Sequence, residues 1–312
     1  MMKKTKKTKG IILAGGSGSR LYPLSKIYSK QLVAVFDKPM IYYSISTLIS
    51  AGISEILIIS DEIMLKYYKK IFDNGKKLGL KISYEVQEKP NGIAEAFIIG
   101  KKFIGGDNNV ALILGDNIFY GTDNIFQTAI KKANSTEYFH GIIFALYVNE
   151  PQRYGVVKFY ENKNPETNAT NEIIPIEIIE KPKNYISNYA VPGFYIYNST
   201  VVEVAENLKP SKRGELEITD VNNYFLKNHK LEVLKLQNGV TWLDCGTPLS
   251  LLNASNFIAS IEERHGIKLG CYEEESYKMK FISQDELLNY CKELPDCDYK
   301  NYLLKRIKIS NR

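Results

Sequence analysis

The residues best suited to chemistry lie in one stretch, KGIILAGGSGSRLYPLSKIYSKQL at positions 9–32. An apolar run, Ile11 to Ala14, feeds directly into Gly15, Gly16, Ser17, Gly18 and Ser19. A buried strand that ends this way delivers a loop whose backbone can close on a ligand, because glycine tolerates positive φ and leaves amide N–H groups bare. Such amides suit phosphate oxygens. Arg20 and Lys30 add two cations at the far end of the loop. The combination reads as a polyphosphate site.

Two familiar phosphate loops fail on spacing. The dinucleotide pattern G-x-G-x-x-G is met at Gly16 and Gly18, but its third position is Leu21. A Walker loop needs a Gly-Lys-Ser/Thr triplet after four spacers, and none follows these glycines. Farther along, Asp116 in LGDN follows an apolar run, and Asp244 in TWLDCG has a similar setting. Either alone reads as a turn or cap residue. Beside a phosphate loop they read as a Mg²⁺ pair, since Mg²⁺ takes one or two protein carboxylates and fills its shell with water and substrate phosphates.

The pattern G-G-x-G-[ST]-R-L-x-P-L followed by S-K-Q-L resembles the sugar-1-phosphate nucleotidyltransferases, and among them the branch that transfers thymidylate. The resemblance spans residues 9 to 268. It implies dTTP and glucose 1-phosphate as substrates, dTDP-glucose and pyrophosphate as products, Mg²⁺ on Asp116 and Asp244, and a cytoplasmic homotetramer. It implies nucleotide contacts at Gly15, Gly16, Gly18, Ser19 and Gln31, and a base-reading segment at Gln87, Pro90, Gly92 and Ile93 in VQEKPNGIAEA. Lys181 in IIEKP and Arg213 in SKRGELEITD would hold the phosphate of the sugar phosphate. Catalysis would then rest on Arg20, Lys30, Lys181 and Arg213. Tyr154, Gly155, Glu180, Val191 and Tyr195 match the hexose pocket. Departures from the pattern include Ala34 and Ser44 in place of prolines, Pro192 and Cys245 in place of threonines, and Thr122 and Asn238 in place of a histidine and an arginine in the family's secondary nucleotide site. A UTP-using relative and a non-catalytic nucleotide-sugar binder are the alternative readings.

Elements that could position these residues follow from periodicity. Strand patterns at 11–14, 55–60, 82–87 and 110–114 alternate with helical patterns at 39–51, 64–72 and 93–103. That rhythm predicts an α/β fold with a mixed, mostly parallel sheet, and ligands in such sheets bind beyond the carboxyl ends of strands. Strand-like runs at 140–148, 154–160, 173–180 and 189–198 predict antiparallel additions, with a solvated loop at 161–172. Helices are expected at 215–228 and 248–265. The organisation read from this is one Rossmann-like three-layer domain over 9–312, whose helical extension begins near 248, preceded by a flexible basic tail at 1–8.

Composition narrows the function classes. Hydrophobic residues make up 44% and charged residues 24% of the 312, ordinary for a globular chain. Lys3, Lys4, Lys6, Lys7 and Lys9 supply five of the net +6 charges, a terminal cluster without the arginines and aromatics of a nucleic-acid arm. The longest apolar region, 41–59, is broken by serines, Gly52 and Glu55, so no membrane span is expected. Four cysteines without a C-x-x-C pair fit a reduced cytosolic chain.

Overall fold

The computed structural model describes residues 6–309 except 17, 27–28, 123 and 164–169. They form two compact units that alternate along the chain: one from residues 9–89, 113–128 and 241 onward, the other from the residues up to Thr8, 90–112 and 129–240.

The first unit is built on parallel strands. Strand β1 (Thr8–Leu13) leads to a small hairpin of β2 (Ala34–Val35) and β3 (Lys38–Pro39), then helix α1 (Ile41–Ser50). Strand β4 (Glu55–Ser60), helix α2 (Glu62–Phe72) and strand β5 (Lys81–Val86) follow. β1 pairs in parallel with β4, and β4 with β5, in the registers Ile12↔Ile58 and Ile58↔Tyr84. Parallel strands buried on both faces read as continuous apolar runs, and Ile56 to Ile59 of β4 are all fully buried. Asp61 caps α2 by accepting from the N–H groups of Ile63 and Met64, at 3.1 and 3.0 Å.

In the second unit, short helices α3 (Glu95–Ile99) and α4 (Lys101–Ile104) precede β6 (Asn109–Leu114), whose tip belongs to the first unit. The helix expected over 93–103 is interrupted at Gly100, which serves as C-cap of α3 and N-cap of α4. Back in the first unit lie β7 (Asn117–Tyr120) and the start of α5 (Ile125–Ser135). The second unit continues with β8 (Gly141–Tyr147), β9 (Gly155–Lys163), β10 (Thr170–Glu180), β11 (Tyr189–Ala190) and β12 (Phe194–Asn198). These run β10-β9-β11-β8-β12 and pair antiparallel. Helices α6 (Val201–Glu206) and α7 (Ile218–Lys227) and strand β13 (Leu231–Lys235), parallel to β8, complete it.

Last come β14 (Thr241–Asp244), α8 (Pro248–His265), α9 (Tyr272–Lys278), α10 (Gln284–Glu293) and α11 (Asp298–Ile309), all in the first unit. The chain is therefore α/β with a mixed set of strands, as expected.

Several boundaries shift. The expected tail at 1–8 is shorter at its inner end, because Thr8 already belongs to β1 and the Lys7 carbonyl accepts from Asn109 N–H at 2.8 Å. Residues 1–5 lie outside the described residues. The loop expected at 161–172 is partly strand, since β9 reaches Lys163 and β10 starts at Thr170; its centre, 164–169, lies outside the described residues. The strand run expected at 189–198 is two strands separated by Val191–Gly193. Pro192, which has no N–H to give a ladder, sits in that break.

Candidate active site

The glycine loop leaves β1 where the sequence places it. Ala14 N–H donates to Ile59 O at 2.8 Å and Ser60 Oγ donates to Ala14 O at 2.8 Å, tying the end of β1 to β4. Gly16 and Gly18 have φ of 108° and 56°, the conformations for which glycine is suited. Ser25 Oγ closes the loop by donating to Gly18 O at 2.8 Å. A single turn, Ser19–Leu21, then turns Leu21 into a core with Val35, Met40, Tyr43, Ile118 and Cys245. Leu21, the residue that breaks the dinucleotide pattern, is thus the apolar anchor of the loop.

Gly15, Gly16, Gly18, Ser19, Arg20, Lys30, Gln31, Asp116 and Gly246 line one cavity of about 220 Å³. Lys30 and Gln31 are buried, and Arg20 is exposed. Gln31 Nε2 donates to Gly15 O at 3.4 Å. Gln87, just past β5, is buried with its Oε1 against Gly15, so close that a Cβ built there would lie 2.6 Å away.

The two carboxylates come from positions far apart in sequence, and the β7–β14 ladder brings them to one place. Asp244 is paired in register with Asn117, the neighbour of Asp116. Cys245 N–H donates to Asp116 O at 3.3 Å. Burial, reinforced by the Asp116 and Asp244 charges and opposed by Lys30, pushes the buried Cys245 thiol up to about 12, so it stays protonated and inert. Arg20 reaches the same corner: a Cβ at Gly246 would lie 3.1 Å from Asp244 Oδ2 and 3.2 Å from Arg20 Nη2. Ser44, standing where the resembling family has proline, donates to Leu114 O at 3.3 Å or Asn117 O at 3.4 Å, on either side of the Asp116 turn.

Asn117 and Trp242 were not singled out from sequence. Trp242 Nε1 donates to Asn117 Oδ1 at 2.6 Å, and Asn117 Nδ2 donates to Asp116 Oδ1 at 2.7 Å, so the chain Trp242–Asn117–Asp116 orients the carboxylate. The signal was present in TWLDCG, where Trp242 and Asp244 are two apart and share a strand face.

In the second unit, Gly155 and Glu180 face each other at the start of β9 and the end of β10. Thr219 Oγ1 donates to Glu180 Oε2 at 2.6 Å, and a Cβ at Gly155 would lie 3.4 Å from that same oxygen. Lys181 follows with a positive φ of 42°, its N–H bonded to Tyr154 O at 3.0 Å and its Nζ 3.6 Å from Glu180 Oε1. Val191 N–H donates to Gly155 O at 2.8 Å, and Tyr195 is buried in β12. Arg213 is held by Glu217, with Nη2 at 2.7 Å from Oε2 and Nε at 3.1 Å from Oε1, and lies 3.4 Å from Glu180 and from Glu215. Burial lowers its affinity for the proton, but the Glu217 hydrogen bonds and the surrounding carboxylates outweigh this and raise it. Asp220 nearby is raised by burial and by the Glu217 and Glu180 charges. Gly92, at φ 112°, lies so close to Leu216 that a Cβ would meet its carbonyl at 2.4 Å, and Asn91 O accepts from Leu216 N–H at 2.6 Å. Ile93 adjoins it half-buried, and Pro90 is exposed. Thr219 and Glu217 are the site neighbours that the sequence reading missed, although both stand in the ELEIT run beside Arg213.

A glycine loop thus opens from a parallel strand, with Arg20, Lys30 and Asp116 lining the cavity at its mouth. The chain belongs to the nucleotidyl transferase family, whose model matches residues 9–261. It is 45% identical over 297 residues to a glucose-1-phosphate thymidylyltransferase of Mycolicibacterium smegmatis, covering 95% of this chain and 98% of that one. With the enzyme of the same name from Neisseria meningitidis serogroup A, identity is 43% over 301 residues, covering 96% and 99%. Among solved structures, a Bacillus anthracis chain described as a glucose-1-phosphate thymidylyltransferase, in complex with sucrose, aligns with a TM-score of 0.70 at 38% identity, over 80% of this chain and 94% of that one. A UDP-glucose pyrophosphorylase complexed with UDP-glucose shares the fold, with a TM-score of 0.67 at 23% identity, over 82% and 99%. Among the described residues no helix is long and apolar enough to cross a membrane.

Proposed function

We propose that this protein is a glucose-1-phosphate thymidylyltransferase, joining dTTP and α-D-glucose 1-phosphate into dTDP-glucose with release of pyrophosphate. The observation that carries the reading is the glycine-loop cavity, lined by Arg20, Lys30 and Asp116 together with the loop glycines, in a chain 45% identical to an enzyme of that name.

A phosphate oxygen of glucose 1-phosphate attacks the α-phosphorus in line. The new P–O bond forms as the bond to the β-phosphate oxygen breaks, and pyrophosphate leaves with that electron pair. The attacking group is already an anion, so no protein nucleophile or general base is required. The chain's task is to gather anions and to meet charge that grows in the transition state. The amides of Gly15, Gly16, Gly18 and Ser19 hold the triphosphate, and Arg20 and Lys30 meet charge on the α-phosphate and the leaving group. Lys181 and Arg213 hold the sugar phosphate, the planar guanidinium engaging it bidentately. Glu180, Tyr154, Gly155, Val191 and Tyr195 orient the hexose. Gln87 and the Gly92 backbone read the pyrimidine edge, with Pro90 and Ile93 flanking, and Gln31 contacts the nucleotide sugar.

Asp116 and Asp244 fit a Mg²⁺ ion: both are hard oxygen donors at strand ends beside the cavity, and two protein carboxylates suffice for that ion. When bound it neutralises phosphate charge. Assembly as a homotetramer and a cytoplasmic setting belong to the same proposal and rest on the family resemblance.

The test is pyrophosphate release by the purified chain with dTTP, UTP and the other nucleoside triphosphates, with and without glucose 1-phosphate. Release that requires the sugar phosphate and is fastest with dTTP is expected. A preference for UTP moves the reading to a uridylyltransferase, and no release with any triphosphate refutes catalysis.

A further inference from the structure

The cation assigned to the triphosphate and the carboxylate assigned to the metal are bonded to each other. Lys30 Nζ forms an ion pair with Asp116 Oδ2, and the lysine side chain is only 8% exposed. The second carboxylate oxygen is engaged as well, accepting from Asn117 Nδ2, which is itself fixed by Trp242. In this state the negative charge of Asp116 is already neutralised. A divalent cation approaching it meets an ammonium at the place it would take.

Lys30 is built to leave that place. Its backbone is pinned in a short turn, with its carbonyl accepting from Val33 N–H at 3.1 Å. Its charge, in contrast, rides on a flexible four-carbon stem, and an ammonium is a point charge with no preferred plane. The cavity that it lines also holds the glycine-loop backbone and Arg20, so phosphate oxygens placed there offer the ammonium a second anionic partner.

We infer that Lys30 stoppers the metal site until nucleotide phosphates draw it away, so that metal and nucleotide bind with positive linkage through this one side chain. The inference rests on the reading of the cavity as a nucleotide site. Each ligand releases a group that the other needs: phosphate takes Lys30 and frees Asp116, and metal on Asp116 frees Lys30 for phosphate. Linkage of this kind is reciprocal by thermodynamic necessity. It also keeps the chain from binding divalent cation without the nucleotide on which the cation is to act.

The test uses Mn²⁺ as probe, with free Mn²⁺ read by its paramagnetic resonance signal, on the full chain without nucleotide. Wild type, Lys30→Met, Lys30→Gln and the double variant Lys30→Met with Asp116→Asn are compared. Removing a like charge from a poorly solvated corner should tighten Mn²⁺ binding about tenfold or more in both single variants. The double variant should fall back to the wild-type level or below. The single tryptophan of the chain, Trp242, adds an independent readout, because its indole is one hydrogen bond from the Asn117 amide that holds Asp116. Its fluorescence should respond to Mg²⁺ at lower concentration in the Lys30 variants than in wild type. Single variants that bind Mn²⁺ no more tightly than wild type overturn the inference, and so does a gain that survives in the double variant. Pyrophosphate release by wild type decides the enzymatic reading separately: an active wild type with unchanged Mn²⁺ affinity in the variants overturns only the stopper.

Discussion

Gly15→Ala isolates the link between the phosphate loop and base recognition. Gly15 does not adopt a positive φ, so alanine is compatible with its backbone, and the substitution acts through space alone. The new Cβ would lie 2.6 Å from Gln87 Oε1 and 3.7 Å from Gln87 Cδ, while the nearest backbone atom, Ser60 Cα, is 4.0 Å away. The Gln87 main chain is held by its N–H donating to Ser60 O at 2.8 Å, so the amide end has to swing away. If that amide reads the pyrimidine edge, one donor and one acceptor contact are lost or bent. At ~0.5–1.5 kcal/mol each, that is ~1–3 kcal/mol of nucleotide binding, or a KM for dTTP raised ~5- to 150-fold with kcat nearly unchanged. Stability should change little, because the atom displaced is the far end of a flexible side chain and not backbone. Steady-state kinetics on Gly15→Ala, Gln87→Ala and the double variant provide the assay. If the effect runs through Gln87, Gly15→Ala adds almost nothing in the Gln87→Ala background. A full-sized effect in that background would mean that the added methyl itself disturbs the bound triphosphate and would refute the route through Gln87.

Arg20→Ala should lower kcat by ~10³ while weakening dTTP binding far less, since charge on the leaving group grows only in the transition state; near-normal turnover would make the loop cation structural. Asp116→Asn and Asp244→Asn should each shift the Mg²⁺ titration of activity to higher concentration and cut turnover without changing the circular dichroism spectrum, and unchanged titrations in both would remove the metal from the reading. Glu273 is buried, accepts from Tyr299 OH at 2.6 Å, and has its carboxyl affinity for protons raised, chiefly by burial. A carboxyl raised on folding stabilises fully below its unfolded value, near ~4.3, and loses that contribution as pH rises through the folded value. Denaturant unfolding should therefore show Glu273→Gln gaining on wild type as pH rises from the unfolded value through the folded one, and a pH-independent difference would show that Glu273 does not titrate differently on folding.

Local signals were legible in the sequence. Helix α8 lies at the expected 248–265 because Thr247 and Ser250 form a reciprocal capping box at its start and Gly266, at φ 62°, ends it. The glycine loop was legible for the same reason: its conformation is fixed by residue type within a few positions. What pairs across long sequence separations was not. β14 is four residues long, and only its ladder with β7 makes it a strand. That ladder gathers Asp116, Asp244 and Asn117, so the carboxylates could be nominated from sequence while the residues orienting them could not. Lys181 shows the same limit, for nothing in IIEKP announces its positive φ.

Charged residues divide in a way that composition cannot show. Glu262 on α8 lies one turn from the helix end that carries Arg264 and His265. It is buried, because Lys38 Nζ and Lys268 Nζ each lie 2.9 Å from its carboxylate and Leu269 N–H donates to it at 2.8 Å. A buried carboxylate persists only where such partners repay its desolvation, and removing one of them leaves a buried charge exposed to that cost. Lys30 and Asp116 obey the same electrostatics with a different outcome. Asp116 keeps 22% of its side chain exposed and lines a cavity, whereas the Glu262 carboxylate has 5%. An ion pair with both members enclosed is a fastening. A pair with one member open to a phosphate-sized cavity can exchange partners, and the capacity to exchange separates the pair assigned here to function from the one that holds α8 in place.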